Sequence, residues 1–554
     1  MIQENFIKLY EDSFKNNWEL PALSDYGKNK TLTYADFALE IEKIHLFFDA
    51  CKLQKGDKIA LIGKNNTNWC IVYMATITYG AVIVPILHEF NPNDIHHIIN
   101  HSQSSLLFCS DSIWDTLEIE KLHDIRGVFS LTDFRTLYQP AGETFEPILS
   151  QSESALSLKY PDGFRKENLR YTDLPNEKVV AISYTSGTTG FIKGVMIMGN
   201  NLAGIIMCVH RQHLLNRGGK IMSFLPLAHT YGCAFDFLYA LYEGCHISLL
   251  GKTPSPTTLI KAMEEIRPNL IFAVPLILEK VYRTKVLPAL NKKSISFVLR
   301  IPFLNRLIYR RFREKLVAVF GGRFIQIILG GAPLNAEVEA FLQKIKFPFT
   351  VGYGMTECAP LISYDHHYEF IPTSCGKILS IMEVRVDSSD PYSVVGEIQV
   401  RGENVMAGYY RDEEATKNAF TEDGWLKTGD LGTIDSEGHI FIRGRSKDVI
   451  LGANGQNIYP EEIEAKLNDL PFVIESLVVE RNGKLVALVH PDYETADETE
   501  NSNKDIHAIM EENRKKLNAK VAAYEQIAEI QLYPTIFAKT PKMSIKRYLY
   551  HSPS

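Results

Sequence analysis

The sequence predicts an α/β protein in two parts: a large N-terminal domain of parallel-rich sheets layered with helices, which includes a β-rich subdomain, and a small α+β C-terminal domain. Three observations lead there. Short β-branched runs ("KIALIG", "AVIVPIL", "FIQIILGG") alternate with helical patterns ("DFALEIEKIHLFFDA", "NAEVEAFLQKI") along most of the chain, the pattern of parallel sheets covered by helices. Between about residues 396 and 443 the texture changes to strands and turns, "GEIQVRG" and "GTIDSEGHIFIRG". After about residue 445 comes a short α+β stretch: "NIYPEEIEAKL", "ESLVVERNGKLVALV" and a helix around "IHAIMEENRKKLNAKV". A boundary near Gly444 therefore divides the chain into residues 1–444 and 445–554.

At 554 residues the chain is too long for one hydrophobic core. A composition of 45% apolar and 23% charged residues is that of a globular enzyme, and a net charge of −7 argues against nucleic acid as a partner. The eight cysteines are scattered without a C-x-x-C pair, which suits reduced, buried thiols in a cytoplasmic protein. The start, "MIQENFIKLYEDSF", lacks a basic segment followed by an apolar one, so no signal peptide is expected. The most apolar run, Ile71 to Leu87, is broken by Gly80 and Pro85 and reads as a helix leading into a strand rather than a membrane span. "DYETADETENSN" is acidic and apolar-poor and is expected to be a solvated loop.

The first chemically specific stretch is "YTSGTTGFIKGV", residues 184–195. Thr185, Ser186, Thr188 and Thr189 surround Gly187 and precede Gly190, and Lys193 follows. Glycines and small hydroxyl residues expose backbone N–H groups that form a concave anion site, to which a lysine adds a point charge. The spacing is not that of a P-loop, which would need glycine where the chain has Ile192 and Ser or Thr where it has Gly194. The tract sits after a buried strand, "KVVAIS", and before an apolar-rich pattern that reads as a helix, so a phosphate cradle is expected rather than a solvent turn. His96, His97 and His101 lack the glutamate of H-E-x-x-H and are not expected to bind metal.

The same stretch resembles the phosphate-binding motif of adenylate-forming enzymes, the superfamily of acyl-CoA synthetases, peptide-synthetase adenylation domains and beetle luciferases, with Ile192 where their usual form has proline. The likeness continues in order through "LQKGDKIALIGKNNTNWCIVYMATITYGAVIVPI", "LPLAHTYG", "LGGAPLN", "VGYGMTE", "GEIQVRG", "GWLKTGDLG", "GRSKDVI" and "NGQNIYPEEIE", and covers nearly the whole length. "VPLILEKVY" and "NGQNIYPEEIE" are most similar to the AMP-forming long-chain fatty-acid–CoA ligase branch.

The resemblance implies ATP, Mg²⁺ and coenzyme A as cofactors and a fatty acid as substrate, with pyrophosphate released as acyl-AMP forms and the acyl group then moved to the CoA thiol. It implies that Thr185, Ser186, Gly187, Thr188, Thr189, Gly190 and Lys193 hold the β- and γ-phosphates. Gly330, Gly331, Ala332 and Pro333 would line the adenine pocket. In "GYGMTE", Tyr353 beside Gly354 would stack on adenine, Thr356 contact the α-phosphate, and Glu357 hold Mg²⁺ together with Thr185. Asp430 and Arg445 would take the ribose hydroxyls, and His229 in "PLAHTYG" would stand at the mouth of the acyl pocket. The small C-terminal domain would be mobile, turning about a hinge at Lys447 between the two half-reactions.

One departure stands out. The family's C-terminal lysine, which bridges carboxylate and α-phosphate, aligns with Ser544 in "KTPKMSIKRYLY". In an extended segment Lys542 and Lys546 share a face with Ser544, so Lys542, or less favourably Lys546, is expected to supply the charge. From Pro302, "PFLNRLIYRRFREKL" spaces apolar residues at three and four, with six Arg/Lys and one Glu between residues 300 and 315. A basic amphipathic helix over 302–316 makes peripheral contact with an anionic membrane an expectation beside plain packing with a basic outer face. Two other readings stay open from the sequence: delivery to a carrier protein or use of an aryl acid, and a weakly catalytic acyl/nucleotide-binding protein lacking the C-terminal lysine. Acyl chain length and oligomeric state are not legible.

Overall fold

The computed structural model describes residues 2–145, 152–186, 192–251, 256–290, 292–299, 301, 304–451, 457–481, 483–493, 506–539 and 545–550. Its largest sheet has eight strands in the order Gly408–Tyr409, Ile192–Met198, Val179–Ser186, Val82–Ile86, Lys58–Ile62, Ser104–Cys109, Gly127–Ser130 and Thr136–Tyr138. Its middle strands, from Val179–Ser186 to Gly127–Ser130, pair in parallel, and its outer pairs are antiparallel. Central strands covered on both faces read as continuous apolar runs, and every residue of Val82–Ile86 is buried. The run Ile71–Leu87 is a helix followed by a strand, as its punctuation predicts. Helix Thr67–Tyr79 starts at Asn66, whose side chain accepts the Trp69 N–H, and stops at Gly80, whose φ of 94° suits a left-handed C-terminal cap.

Two further sheets complete the layered part. One holds Lys220–Ser223, His246–Leu249, Pro21–Asp25 and Thr31–Thr33; the other is a parallel set of Ile271–Ala273, Ile327–Leu329 and Phe349–Val351. The stretch of strands and turns expected between about residues 396 and 443 belongs to an antiparallel four-stranded sheet that begins earlier: Met382–Asp387, Gly396–Gly402, Leu426–Ile434 and Ile440–Arg445. Beyond it, strands Val473–Arg481, Lys484–Pro491 and Glu529–Leu532 pack with helices Pro460–Asn468 and Ile506–Asn518.

The apolar cores separate along the chain. One extends from Phe6 to Ile440, and two smaller ones draw only on residues from Ile450 onward. Polar contacts join the two parts: Arg283 donates to the carbonyls of Asn468 and Val473 at 3.2 and 3.3 Å, and Asn335 bonds to Asp469. All eight cysteines are free, and seven are buried. Among the described residues no helix is long and apolar enough to cross a membrane.

One sequence expectation is corrected. "YTSGTTGFIKGV" does not lead from a strand into a helix: Val179–Ser186 returns antiparallel as Ile192–Met198, and helix Gly199–His210 begins only after that second strand. The β-branched "IKGVMIM" pairs across the hairpin, placing Lys193 opposite Thr185. Lys193 and Thr185 therefore stand on the two arms of a strand pair, and no helix begins between Ile192 and Met198. Pro302, the acidic segment from residue 494 and the residues Gly187, Thr188, Thr189, Gly190, Lys542 and Ser544 lie outside the described residues.

Candidate active site

The segments that follow the strands Lys220–Ser223, Ile271–Ala273, Ile327–Leu329 and Phe349–Val351 border one cavity of about 2380 Å³. Open α/β sheets bind ligands at the carboxyl ends of their strands, because loops there can vary while the sheet stays fixed. The wall contains two kinds of cluster. One is aromatic and aliphatic, with Phe224, Phe235, Met263, Phe272, Val319 and Phe320; the Phe235 and Phe272 rings stack at 5.3 Å. The other is polar and includes Thr185, Lys193, Thr356, Glu357, Asp430 and Arg445. Gly330 and Tyr231 are in contact on this wall: a Cβ on Gly330 would stand 3.1 Å from the Tyr231 ring, whose hydroxyl donates to the Ile328 carbonyl at 2.9 Å. Gly331, Ala332 and Pro333 are exposed beside it in the same wall.

Sheet register builds the first polar group. Asp430 and Arg445 are partners across antiparallel strands, and Arg445 Nε lies 3.1 Å from Asp430 Oδ1. Tyr353 donates its hydroxyl to Asp430 Oδ2 at 2.7 Å. Burial raises the Asp430 pKa above the usual aspartate value, and the Arg445 charge opposes the shift.

A second group gathers around Tyr409. Its hydroxyl donates to Glu357 Oε1 at 3.0 Å, while Lys193 Nζ stands 4.8 Å from the centre of its ring. One tyrosine thus touches a carboxylate through its hydroxyl and a cation through its ring face. The Met406 N–H donates to the Glu357 carbonyl at 2.8 Å and fixes the backbone beneath that carboxylate. Gly354 is required by space: a Cβ there would fall 1.9 Å from the Pro360 carbonyl oxygen.

Glu357 with Thr185 offers hard oxygen donors, and among the described residues no group of three or more His, Cys, Asp or Glu could hold a metal. That donor set suits Mg²⁺, which takes one or two carboxylates and completes its shell with phosphate and water oxygens.

His229 lines the cavity, its Nδ1 accepting the Tyr231 N–H at 3.2 Å. Lys447 is exposed in the short turn Ser446–Asp448, also in the wall. Lys546 lines the cavity as well, its backbone N–H donating to the Ala538 carbonyl at 2.8 Å. The three histidines of the 96–101 stretch have structural partners: His96 Nε2 accepts the Glu118 N–H, the His97 and His101 rings stack, and His101 Nδ1 bonds to the Tyr184 hydroxyl at 2.8 Å.

Sequence reasoning missed Tyr409 and the acidic surroundings of Arg547. Glu461 Oε2 accepts the Arg445 backbone N–H at 3.1 Å. Arg547 meets Glu464 at 2.9 Å, Asp448 at 3.5 Å and Glu461 at 4.0 Å. The three-residue spacing of Glu461 and Glu464 in "PEEIEAKL" puts both on one helix face, a signal that could have pointed to a shared cation.

The family described as AMP-binding enzyme matches residues 10–410. This chain is an AMP-binding enzyme. Among curated relatives of this AMP-binding enzyme, the long-chain-fatty-acid–CoA ligase FadD15 of Mycobacterium bovis is 28% identical over 563 residues, covering 93% of this chain and 90% of that protein. Among solved structures, ATP-bound MatB from Rhodopseudomonas palustris superposes with a TM-score of 0.77 at 22% identity, covering 99% of this chain and 98% of that one. The O-succinylbenzoate coenzyme A synthetase MenE of Bacillus subtilis, in complex with ATP and magnesium ion, superposes at 0.75 with 20% identity and 99% of both chains covered. The fold is that of these two solved structures.

Proposed function

We propose that this AMP-binding enzyme joins a fatty acid to ATP as an acyl adenylate, releasing pyrophosphate, and passes the acyl group to the thiol of coenzyme A. The observation that carries the reading is one cavity walled both by an apolar cluster suited to an alkyl chain and by the cation-bearing cluster of Lys193, Glu357, Asp430 and Arg445. The relation to FadD15 of Mycobacterium bovis, by name a long-chain-fatty-acid–CoA ligase, supports the same substrate class.

In the first half-reaction a carboxylate oxygen attacks the α-phosphorus, and the bond from that phosphorus to the bridging oxygen breaks as pyrophosphate leaves. Both reactants are anions, so the chain's task is to offset their repulsion. The hairpin tip with Thr185, Ser186 and Lys193 holds the departing phosphates. Thr356 reaches the α-phosphate, Asp430 and Arg445 take the ribose, and Tyr353 with Gly330–Pro333 borders adenine. Glu357 and Thr185 would hold Mg²⁺, which would supply positive charge to the phosphates. Lys542 or Lys546 supplies the cation that Ser544 cannot, and the place of Lys546 in the cavity wall supports it. In the second half-reaction the thiol sulfur attacks the acyl carbonyl, the bond to AMP breaks, and the thiol proton passes to solvent. Residues 445–554 turn about Lys447 between the halves, a reading supported by the separate apolar cores. His229 guards the acyl branch.

The enzyme works in the cytoplasm and touches the membrane peripherally. Helix Leu304–Val319 supports that contact: Leu304 and Leu307 are exposed beside Arg306, Arg310 and Arg311 on its basic surface.

The test is pyrophosphate release with straight-chain acids from C2 to C18, with and without coenzyme A. Release with long-chain acids, and AMP release that requires coenzyme A, is expected. Release only with aryl acids, or none with any acid, would overturn the proposal.

A further inference from the structure

A second depression, of about 340 Å³, opens at the N-terminal ends of the strands whose other ends carry the catalytic cavity. Arg217, Lys220, Arg267 and Arg323 line it together with Asn216 and Asn269. Its wall holds four cations and no carboxylate, in a chain whose net charge is −7. None of the four is in an ion pair among the described residues.

Two of the guanidinium groups are held in place by neutral acceptors. Arg217 donates from Nε to Asn17 Oδ1 at 2.7 Å and from Nη2 to the Asn16 carbonyl at 2.6 Å. Arg267 donates from Nε to the Gly321 carbonyl at 3.1 Å. Gly321 has a φ of 86°, and a Cβ there would come within 2.4 Å of the Met263 carbonyl oxygen, so the turn presenting that acceptor depends on glycine. These bonds orient the groups and leave their charge uncompensated.

Helix ends explain part of the arrangement. Arg267 and Arg323 follow the helices Pro256–Ile266 and Leu304–Val319, where the carbonyl ends favour cations. Arg217 precedes the strand Lys220–Ser223 and Lys220 opens it, and helix ends give no reason for them to converge on the same hollow.

We propose that this pocket binds a phosphate-bearing anion. Guanidinium forks match phosphate oxygens in pairs, and the hollow is of the size of the smaller ligand sites, which begin at about 300 Å³. Free phosphate and a phospholipid headgroup share this chemistry. Ile325 on the rim is 44% exposed and would meet the glycerol backbone of a lipid. Leu214 lines both this pocket and the catalytic cavity, so the two sites share part of one wall.

The experiment uses the full chain with its catalytic cavity filled by a non-hydrolysable ATP analogue. Inorganic phosphate is titrated calorimetrically. In parallel, the protein is sedimented with phosphatidylcholine vesicles with and without phosphatidic acid. Arg323 makes no intramolecular hydrogen bond or ion pair among the described residues, so R323Q should melt like the wild type and retain its pyrophosphate exchange. Binding of either probe by the wild type, weakened about tenfold or more in R323Q and lost in R217Q/R323Q, supports the site. Binding of phosphate alone identifies a free anion, and binding of phosphatidic acid vesicles alone identifies a headgroup. A wild type that binds neither probe, or an R323Q variant that binds as tightly as the wild type, overturns it.

Discussion

Tyr353 donates its hydroxyl to one oxygen of Asp430 at 2.7 Å, while the other oxygen of that carboxylate lies 3.1 Å from Arg445 Nε. A tyrosine from one motif thereby joins a strand pair that carries the other two residues, and tyrosine and arginine together hold a buried carboxylate.

Substitution of Asp430 by Asn should raise the KM for ATP about tenfold, the equivalent of roughly 1.4 kcal/mol for a charge-assisted contact, and leave the KM for the acid nearly unchanged. Y353F should do less, because Arg445 still holds the carboxylate. Burial raises the Asp430 pKa, and its proposed hold on the ribose needs the ionised carboxylate. ATP affinity should therefore decline on acidification before an ordinary aspartate would protonate. A KM for ATP that stays constant from neutrality down into the usual carboxylate range would refute this role.

Arg547 faces three carboxylates of the C-terminal unit and its approach, Glu464 at 2.9 Å, Asp448 at 3.5 Å and Glu461 at 4.0 Å. R547A leaves carboxylates buried without it and should cost the C-terminal unit about 3–5 kcal/mol. The sign with pH follows from burial, which raises the pKa of both Glu461 and Glu464. The folded chain then binds more protons than the unfolded one between the ordinary glutamate range and those raised values. Stability falls as pH rises through that window, and falls more steeply without Arg547. Amide exchange along Val473–Arg481 at several pH values reads the effect; equal loss in R547A at every pH would contradict it.

K546A and K542A separate the two candidates for the missing cation. Loss of the effective lysine should slow acyl-adenylate formation about 10²–10³-fold and spare thioester formation from supplied acyl-AMP. Full activity in both variants and in their double would end the idea that either lysine replaces the one absent at Ser544.

At Gly354 an added methyl group meets the Pro360 carbonyl, so the strand and the following turn must separate. G354A should lose about 1–3 kcal/mol of stability and most of its adenylation, because Thr356 and Glu357 follow directly. A variant with wild-type pyrophosphate exchange would show that the close approach does not matter.

Much of this was legible in the sequence for physical reasons. The helix-to-strand passage at Gly80 was readable because a left-handed cap and a β-branched run leave local marks. The polar wall was readable because its motifs occur in order along the chain. The hairpin was not: "IKGVMIM" is apolar and short, and only pairing with Val179–Ser186 decides between strand and helix. Tyr409 escaped for a related reason, since nothing near it in sequence tells that it meets Glu357 and Lys193. Arg547 and Glu464 lie 83 residues apart, so their pairing is a property of the folded C-terminal unit alone.

Because the apolar interiors of the large and small parts are distinct, the proposed movement of one over the other would leave each core intact. Bonds such as those from Arg283 to the Asn468 and Val473 carbonyls exchange readily with water. The joint is closer to a wet bearing than to a glued seam. In the proposed two-step reaction, such a joint would let one chamber be served by different faces of the small part in turn.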